Sequence, residues 1–340
     1  MRQIEKTIKK GIFRKLLIKL CRLVGYELID QADLSFVTSM NKYNASIIGE
    51  KSITLPMGEV KIKRKIQSLD IIIKTCTAVN LVTQNKKRIF EKTKSEYTFR
   101  SINSLIKSLK KAKEDTNNIK FYITVIDAGS TKDDINKIRE ILENSGFEFH
   151  LINLNLNDYL NRIKIIKKNN SQIENNMKST MASIIKSFEL SKNANDLVYF
   201  VEDDYIHKID SISEMLSVYE KFSSMLDDEV FIVPIDYPYL YQKNQSSNIL
   251  IGQRYHWRTI KESLLTFLTS KKMIGKYYNE LIKMGEVEHE PYETILHNIY
   301  EKEKCFSPVP SLALHCTNVN SVFGLSPTID FKKLWEDNKL

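Results

Sequence analysis

Three short apolar runs, residues 69–75, 121–126 and 197–201, recur along the chain, and the stretches between them carry apolar residues at helical spacing. An apolar run of this length fits a strand covered on both faces. Helices between such strands make right-handed βαβ units of a mostly parallel sheet. Phe99, Ile102, Leu105, Ile106 and Leu109 mark the first helix. Further helices are expected over 132–145 and 177–190, and a further strand over 147–152. Residues 26–68 read as a connector with short β pieces, entered into the sheet through Lys61, Lys63, Arg64 and Lys65. The Lys- and Asn-rich stretch 161–178 reads as a mobile loop. Parallel sheets bind ligands beyond the carboxyl ends of their strands. Here those ends are Lys74-Thr75, Asp127-Ala128-Gly129-Ser130-Thr131 and Glu202-Asp203-Asp204.

With 340 residues, 42% of them hydrophobic and 27% charged, the chain can bury the core of one large α/β domain with additions or of two modest ones. Its cysteines, Cys21, Cys76, Cys305 and Cys316, form no CxxC pair, and no secretory leader precedes them, so a reducing, cytoplasmic setting is expected. No stretch has the uncharged apolar length that spans a bilayer. Seven of the nine net positive charges fall in residues 1–24, leaving two for the other 316 residues. A nucleic-acid enzyme would spread a basic stripe over its working domain, so nucleic acid is not an expected partner.

That basic segment has a pattern of its own. From Ile12 onward, Phe13, Leu16, Leu17, Leu20, Leu23 and Val24 share one helical face, with Arg14, Lys15, Lys19 and Arg22 opposite, until Gly25 stops the helix. Such a helix can lie in the interface of an anionic membrane, or pack on its own domain.

The order of an apolar strand, Asp-x-Gly-Ser-Thr, a helix, and then Phe200-Val201-Glu202-Asp203-Asp204 resembles the nucleotide-binding half of GT-A glycosyltransferases. The likeness is strongest to the large inverting family that builds bacterial surface polysaccharides. It covers residues 69–210 well and 211–325 loosely. The fold it implies is α/β, a GT-A (Rossmann-like) mostly parallel sheet flanked by helices, with the basic amphipathic helix in front. The implied divisions are a helix over 1–25, a connector over 26–68, a nucleotide-sugar-binding half over 69–210 and an acceptor-binding half over 211–340. The implied reaction moves a sugar from a nucleoside-diphosphate-sugar donor to a glycan or lipid-linked acceptor, with inversion, at the inner face of the cell membrane.

Site residues follow from the same resemblance. Thr75, Asp127, Gly129, Ser130 and Asp203 would face the nucleotide, Asp127 accepting hydrogen bonds from base or ribose and Gly129 letting the backbone turn beside it. Ala128 departs from the family's second Asp, and an ordinary strand-to-helix turn capped by Asp127 or Ser130 also accounts for this segment. A departing diphosphate needs its growing charge neutralised, and Mn²⁺ or Mg²⁺ held by carboxylates does this. Asp204 is the first choice of ligand, joined by Glu202, where the family has Asp, and by His315 of Pro310-Ser311-Leu312-Ala313-Leu314-His315. A histidine ending an apolar strand is also a common structural residue. For the base that removes the acceptor proton, Glu293 comes first and Glu290 next, although acids at a helix start are favoured by the helix dipole in any case. Asp236 is the following candidate. Arg254, His256, Trp257 and Arg258 fit either a sugar-stacking, phosphate-clamping loop or plain surface packing.

Two other functions share this outline. A nucleotidyltransferase would need a Gly-rich phosphate loop after its first strand, and residues 74–80 contain no glycine. An assembly protein with a transferase-like domain that no longer turns over is the non-enzymatic reading.

Overall fold

A computed structural model describes residues 12–26, 61–78, 89–116, 118–166, 171–242, 244–288, 292–316 and 329–340. The chain divides into two units, residues 1–59 and 60–340. In the first, α1 (Ile12–Leu23) ends just before Gly25, whose φ of +83° only glycine adopts without strain. The expected β pieces of the connector fall largely on residues 27–60, outside the described residues.

The second unit begins with alternating strands and helices: β1 (Ser68–Thr75), α2 (Lys94–Asp115), β2 (Lys120–Asp127), α3 (Lys132–Glu143), β3 (Glu148–Asn153), α4 (Ser171–Ser191) and β4 (Leu197–Glu202). These match the spacing in the sequence, with one correction. Residues 171–178, read as part of a loop, already form the first two turns of α4, because Met177, Met181, Ile184, Ile185 and Phe188 continue one buried stripe. A short strand β5 (Tyr205–His207) and the helix α5 (Ser211–Leu226) follow. Then come β6 (Phe231–Ile232), β7 (Ile249–Ile251), β8 (His256–Ile260) and β9 (Phe267–Ser270). Three short helices, α6 (Lys271–Lys276), α7 (Tyr278–Leu281) and α8 (Lys283–Glu286), lead to α9 (Thr294–Tyr300). The chain closes with β10 (Cys305–Val309), β11 (Ala313–His315) and α10 (Phe331–Asp337).

Nine strands form one sheet in the order β3-β2-β1-β4-β9-β6-β10-β8-β7, and β5 pairs with β11 in a separate ribbon. The first four strands are parallel, with Thr75 beside Asp127 and Lys74 beside Glu202, so their carboxyl ends lie level along one edge. β9 runs antiparallel between β4 and β6. The halves before and after residue 210 therefore share one sheet and one core.

Two features fix the chain around that edge. Along α2, Ser101 donates to the Tyr205 carbonyl (2.8 Å), while Ser104 and Ser108 accept from the backbone N–H of His207 (2.9 Å) and Ile212 (3.0 Å). These buried serines satisfy the backbone of the segment that follows the acidic run. At the chain's end Trp335 stacks on Phe90 with ring centroids 4.0 Å apart, and the Arg100 guanidinium lies over its ring and donates to its carbonyl. α10 thereby holds the first turns of α2.

Several charged residues turn inward. Arg64, from the basic approach to β1, bridges Asp196 and Glu229 (3.1 Å to the latter). Trp257 is fully buried and donates to Glu214 (3.1 Å), and Arg258 pairs with Asp236 (2.7 Å). Of the two readings for that cluster, these residues take the structural one.

Gly285 marks where α8 meets α4: a Cβ there would lie 2.6 Å from the Met181 carbonyl oxygen and 2.6 Å from Ile185 Cγ1. Gly285→Ala is expected to lower stability by about 1–3 kcal/mol through overpacking. Gly275→Ala, with nothing within 4 Å, is expected to be neutral or mildly stabilising. Urea denaturation of the two variants beside the parent checks both.

Candidate active site

The acidic run leaves the sheet where β4 ends, and each carboxylate meets a different element. The Glu202 carboxylate faces the Lys74 ammonium of β1 at 3.4 Å, and its backbone N–H donates to Thr266 (3.1 Å). Asp203 is 7% exposed and receives three donors: the Lys94 ammonium, the Thr98 hydroxyl (2.8 Å) and the Cys76 N–H (3.3 Å). Burying a carboxylate is costly unless it is paired and hydrogen-bonded, and Asp203 is both. Asp204 lies 3.4 Å from His315 Nε2. The β5–β11 ribbon makes that contact, since its register sets His315 opposite Tyr205 and the Cys316 N–H donates to the Asp204 carbonyl (2.9 Å). The His315 ring stacks on Tyr205 at 4.4 Å between centroids. Burial works against a charged imidazole at His315, but the Asp204 charge and hydrogen bond, with Glu202 behind them, raise its pKa above the ordinary value.

Asp127 serves the loop after β2. Its carboxylate accepts from the Thr75 hydroxyl (2.9 Å), the backbone N–H groups of Gly129 (3.1 Å) and Ser130 (2.9 Å), and the Ser130 hydroxyl. Four donors of the chain itself fill the roughly four acceptor positions of a carboxylate. That makes Asp127, with Thr75 and Ser130, a group that shapes the edge of the site. Gly129 has φ +120°, a conformation that L side chains rarely adopt. Capping of α3 falls to Thr131, which accepts from the Asp134 N–H (3.2 Å), rather than to Asp127 or Ser130. Asp134 in turn accepts from Thr77 (2.6 Å) and Ser95 (2.8 Å), tying this loop to the end of β1 and the start of α2.

Glu293 stands immediately before α9 and joins the same electrostatic field. Burial pushes its carboxyl up to about 7; a backbone hydrogen bond opposes this, the Glu202 charge adds to it, and Lys74 and His315 oppose it. Tyr237, buried and linked to Tyr205 by a 2.8 Å hydroxyl contact, also feels the charges of Glu202 and Glu293. Glu290 falls at residues 289–291, outside the described residues. Asp236 accepts from Arg258 (2.7 Å) and Tyr241 (2.5 Å), so its carboxylate is committed to the fold.

Residues from β1, β4, β11 and the start of α9, more than 200 positions apart in the sequence, thus meet at one edge. Sequence reading missed Lys74, Lys94 and Thr98. Lys74 had a visible signal, a lone charge near the end of an apolar strand. Lys94 and Thr98 had only their i, i+4 spacing at the start of an amphipathic helix. Among the described residues no three His, Cys, Asp or Glu side chains form a ready metal cluster. Asp204 and His315 bring one carboxylate and one imidazole together.

No family model and no curated protein matches the chain. Among solved structures it is similar to the galactosyltransferase LgtC in complex with donor and acceptor sugar analogs, at 16% identity over 68% of this chain and 70% of that one, with a TM-score of 0.35. TarS of S. aureus is similar at 12% identity over 62% of this chain and 49% of that one, TM-score 0.33. UDP-glucose pyrophosphorylase complexed with UDP-glucose is similar at 11% identity over 74% and 94%, TM-score 0.38.

The raised Glu293 carboxyl has a stability signature. A folded-state pKa near 7, against an ordinary 4.5, means that between these values the folded protein holds a proton the unfolded chain has released. This contribution is complete below the lower value and is lost as pH rises towards 7. At 1.36 kcal/mol per unit it amounts to about 3 kcal/mol at most. Glu293→Gln is expected to flatten that decline, measured as unfolding free energy from pH 4 to 8 in the two proteins.

Proposed function

We propose that the chain is a nucleotide-sugar-dependent glycosyltransferase of the GT-A kind. The observation that carries this reading is the meeting of Glu202, Asp204, His315 and Glu293 at the carboxyl edge of a parallel sheet, where an α/β fold binds its ligands. Glu293 is the base: a carboxyl poised near neutral pH can accept the acceptor hydroxyl's proton as the new bond to the anomeric carbon forms and the bond to the nucleoside diphosphate breaks. One base and a single displacement give inversion at that carbon.

Mn²⁺ or Mg²⁺ fits the oxygen and nitrogen pair of Asp204 and His315, with Glu202 as a further carboxylate nearby, and when bound it would supply positive charge beside the departing diphosphate. Lys74 and Lys94, already set between the carboxylates, keep the acidic run balanced and add positive charge on the donor side. Thr75, Asp127, Gly129, Ser130 and Asp203 shape the nucleotide's side of the edge. The acceptor is a glycan or a lipid-linked sugar. No helix among the described residues is long and apolar enough to cross a membrane, and α1 would instead lie in an anionic interface.

A thermal-shift series with UDP-, GDP-, CMP- and dTDP-sugars, with and without Mn²⁺, tests the reading, because a ligand bound only by the native state raises stability by mass action. One donor is expected to stabilise the protein, more so with Mn²⁺, and Asp204→Asn is expected to remove the metal-dependent part. Equal metal-dependent shifts in parent and variant would move the cation away from Asp204, and no shift with any donor would reject the transferase reading.

Removal of residues 1–24 is expected to end co-sedimentation with anionic vesicles while donor binding persists, since each basic residue at such a surface contributes about 1 kcal/mol. Undiminished sedimentation of the shortened protein would assign vesicle binding to another surface.

A further inference from the structure

Beside the second half of α9 lies a cavity of about 400 Å³ lined by residues 244–246, the turn following β8 and the exposed side of that helix. Its walls are polar: the amides of Asn244, Gln245 and Asn298, the Ser246 hydroxyl and the His297 imidazole, with no purely hydrocarbon side chain among the lining residues. Small-molecule sites of this size are usually mostly apolar, so this one suits a ligand rich in hydroxyl groups and poor in hydrophobic surface. The charged walls are Lys261, Glu262 and Glu301, two acids to one base, which disfavours a phosphate-rich ligand.

The walls are held in place. His297 Nε2 sits 3.0 Å from the Ser263 carbonyl, Lys261 pairs with Glu301 at 2.6 Å, and Asn248 and Ser247 bond to Thr259 at 2.9 and 3.0 Å, anchoring the chain just after the amide wall.

Position links the cavity to the reaction. Glu293, His297 and Glu301 follow at i, i+4 and i+8 and so share one stripe of α9, with the His297 N–H bonded to the Glu293 carbonyl (2.9 Å) and the Glu301 N–H to the His297 carbonyl (3.1 Å). Four residues of helix rise about 6 Å, close to the length of one sugar ring. Tyr239, whose hydroxyl pKa is raised by burial, feels the charges of both Glu262 and Glu293 and so lies within reach of cavity and base alike.

We propose that this cavity binds a neutral sugar unit of the acceptor, one ring removed from the hydroxyl that Glu293 deprotonates. The proposal rests on the glycosyl-transfer reading for the word acceptor, and its test is made separable from that reading. The full chain is titrated with maltotriose, chitotriose and lactose, and separately with inositol hexakisphosphate, while the His297 ring signals, assigned by their loss in His297→Gln, are followed by NMR. At least one neutral oligosaccharide is expected to shift them, and the double variant Gln245→Ala/Asn298→Ala is expected to weaken that binding tenfold or more without altering the donor thermal shift. No response to any of the sugars, equal binding by the double variant, or a response to inositol hexakisphosphate alone would overturn the proposal. In the parent chain, donor binding without any response to the sugars rejects the cavity alone. Sugar binding kept with no donor bound rejects transfer, and with it the acceptor role.

Discussion

A carboxylate that leaves water must find donors or give up its charge, and Asp203 meets that demand by drawing three donors from two other pieces of chain to one point. Lys94 and Thr98 come from the start of α2, and the Cys76 N–H comes from the end of β1. The cost of an unpaired acid therefore fixes the angle at which α2 leaves the sheet edge. Removing one partner of a buried ion pair costs about 3–5 kcal/mol, so this junction is among the least tolerant in the molecule. The serine ladder along α2 then sets β5, and β5 sets β11 with His315. One satisfied acid thus positions, through two short strands, the imidazole beside its neighbour Asp204.

Much of the fold was legible because the central parallel strands β1 and β4 are buried on both faces and β2 on one, so they are built mostly from apolar residues. Ile71, Ile73, Val125 and Val201 leave no other reading. The second half was not legible in the same way. β6 has two residues, β7 and β11 three each, and strands that short have no period to detect. The loop read over 161–178 misled for a different reason. Its polar residues Gln172, Glu174, Asn175 and Asn176 belong to a helix whose buried stripe becomes clear only further along.

In the site, the residues that ended strands were found and those that paired with them were not. Asp127 and the run at 202–204 stand at the end of apolar runs, where an acid has no packing reason to be. Lys94 and Thr98 lie on a helix surface that looks like any other in sequence, and only the sheet brings Asp203 to them. The carboxylate of Asp127 accepts from Thr75, Gly129 and Ser130, donors of the chain itself. Acids of the same type at neighbouring strand ends thus differ in how many donors the chain itself gives them.

The same count separates the candidates for the base. Asp236 is raised by burial, which its Arg258 and Tyr241 partners oppose, and both of its partners tie the carboxylate to the fold. Glu293 is part-buried and has no ion pair among the described residues, and Glu202 repels its charge while Lys74 and His315 favour it. A carboxyl in that position gains from holding a proton and can still release it near neutral pH. The raised carboxyl of Glu293 therefore follows from the pairing of its neighbours: with Lys74 on Glu202 and His315 on Asp204, the nearby cations are shared out to other carboxylates, and the carboxyl before α9 is left with its charge weakly supported.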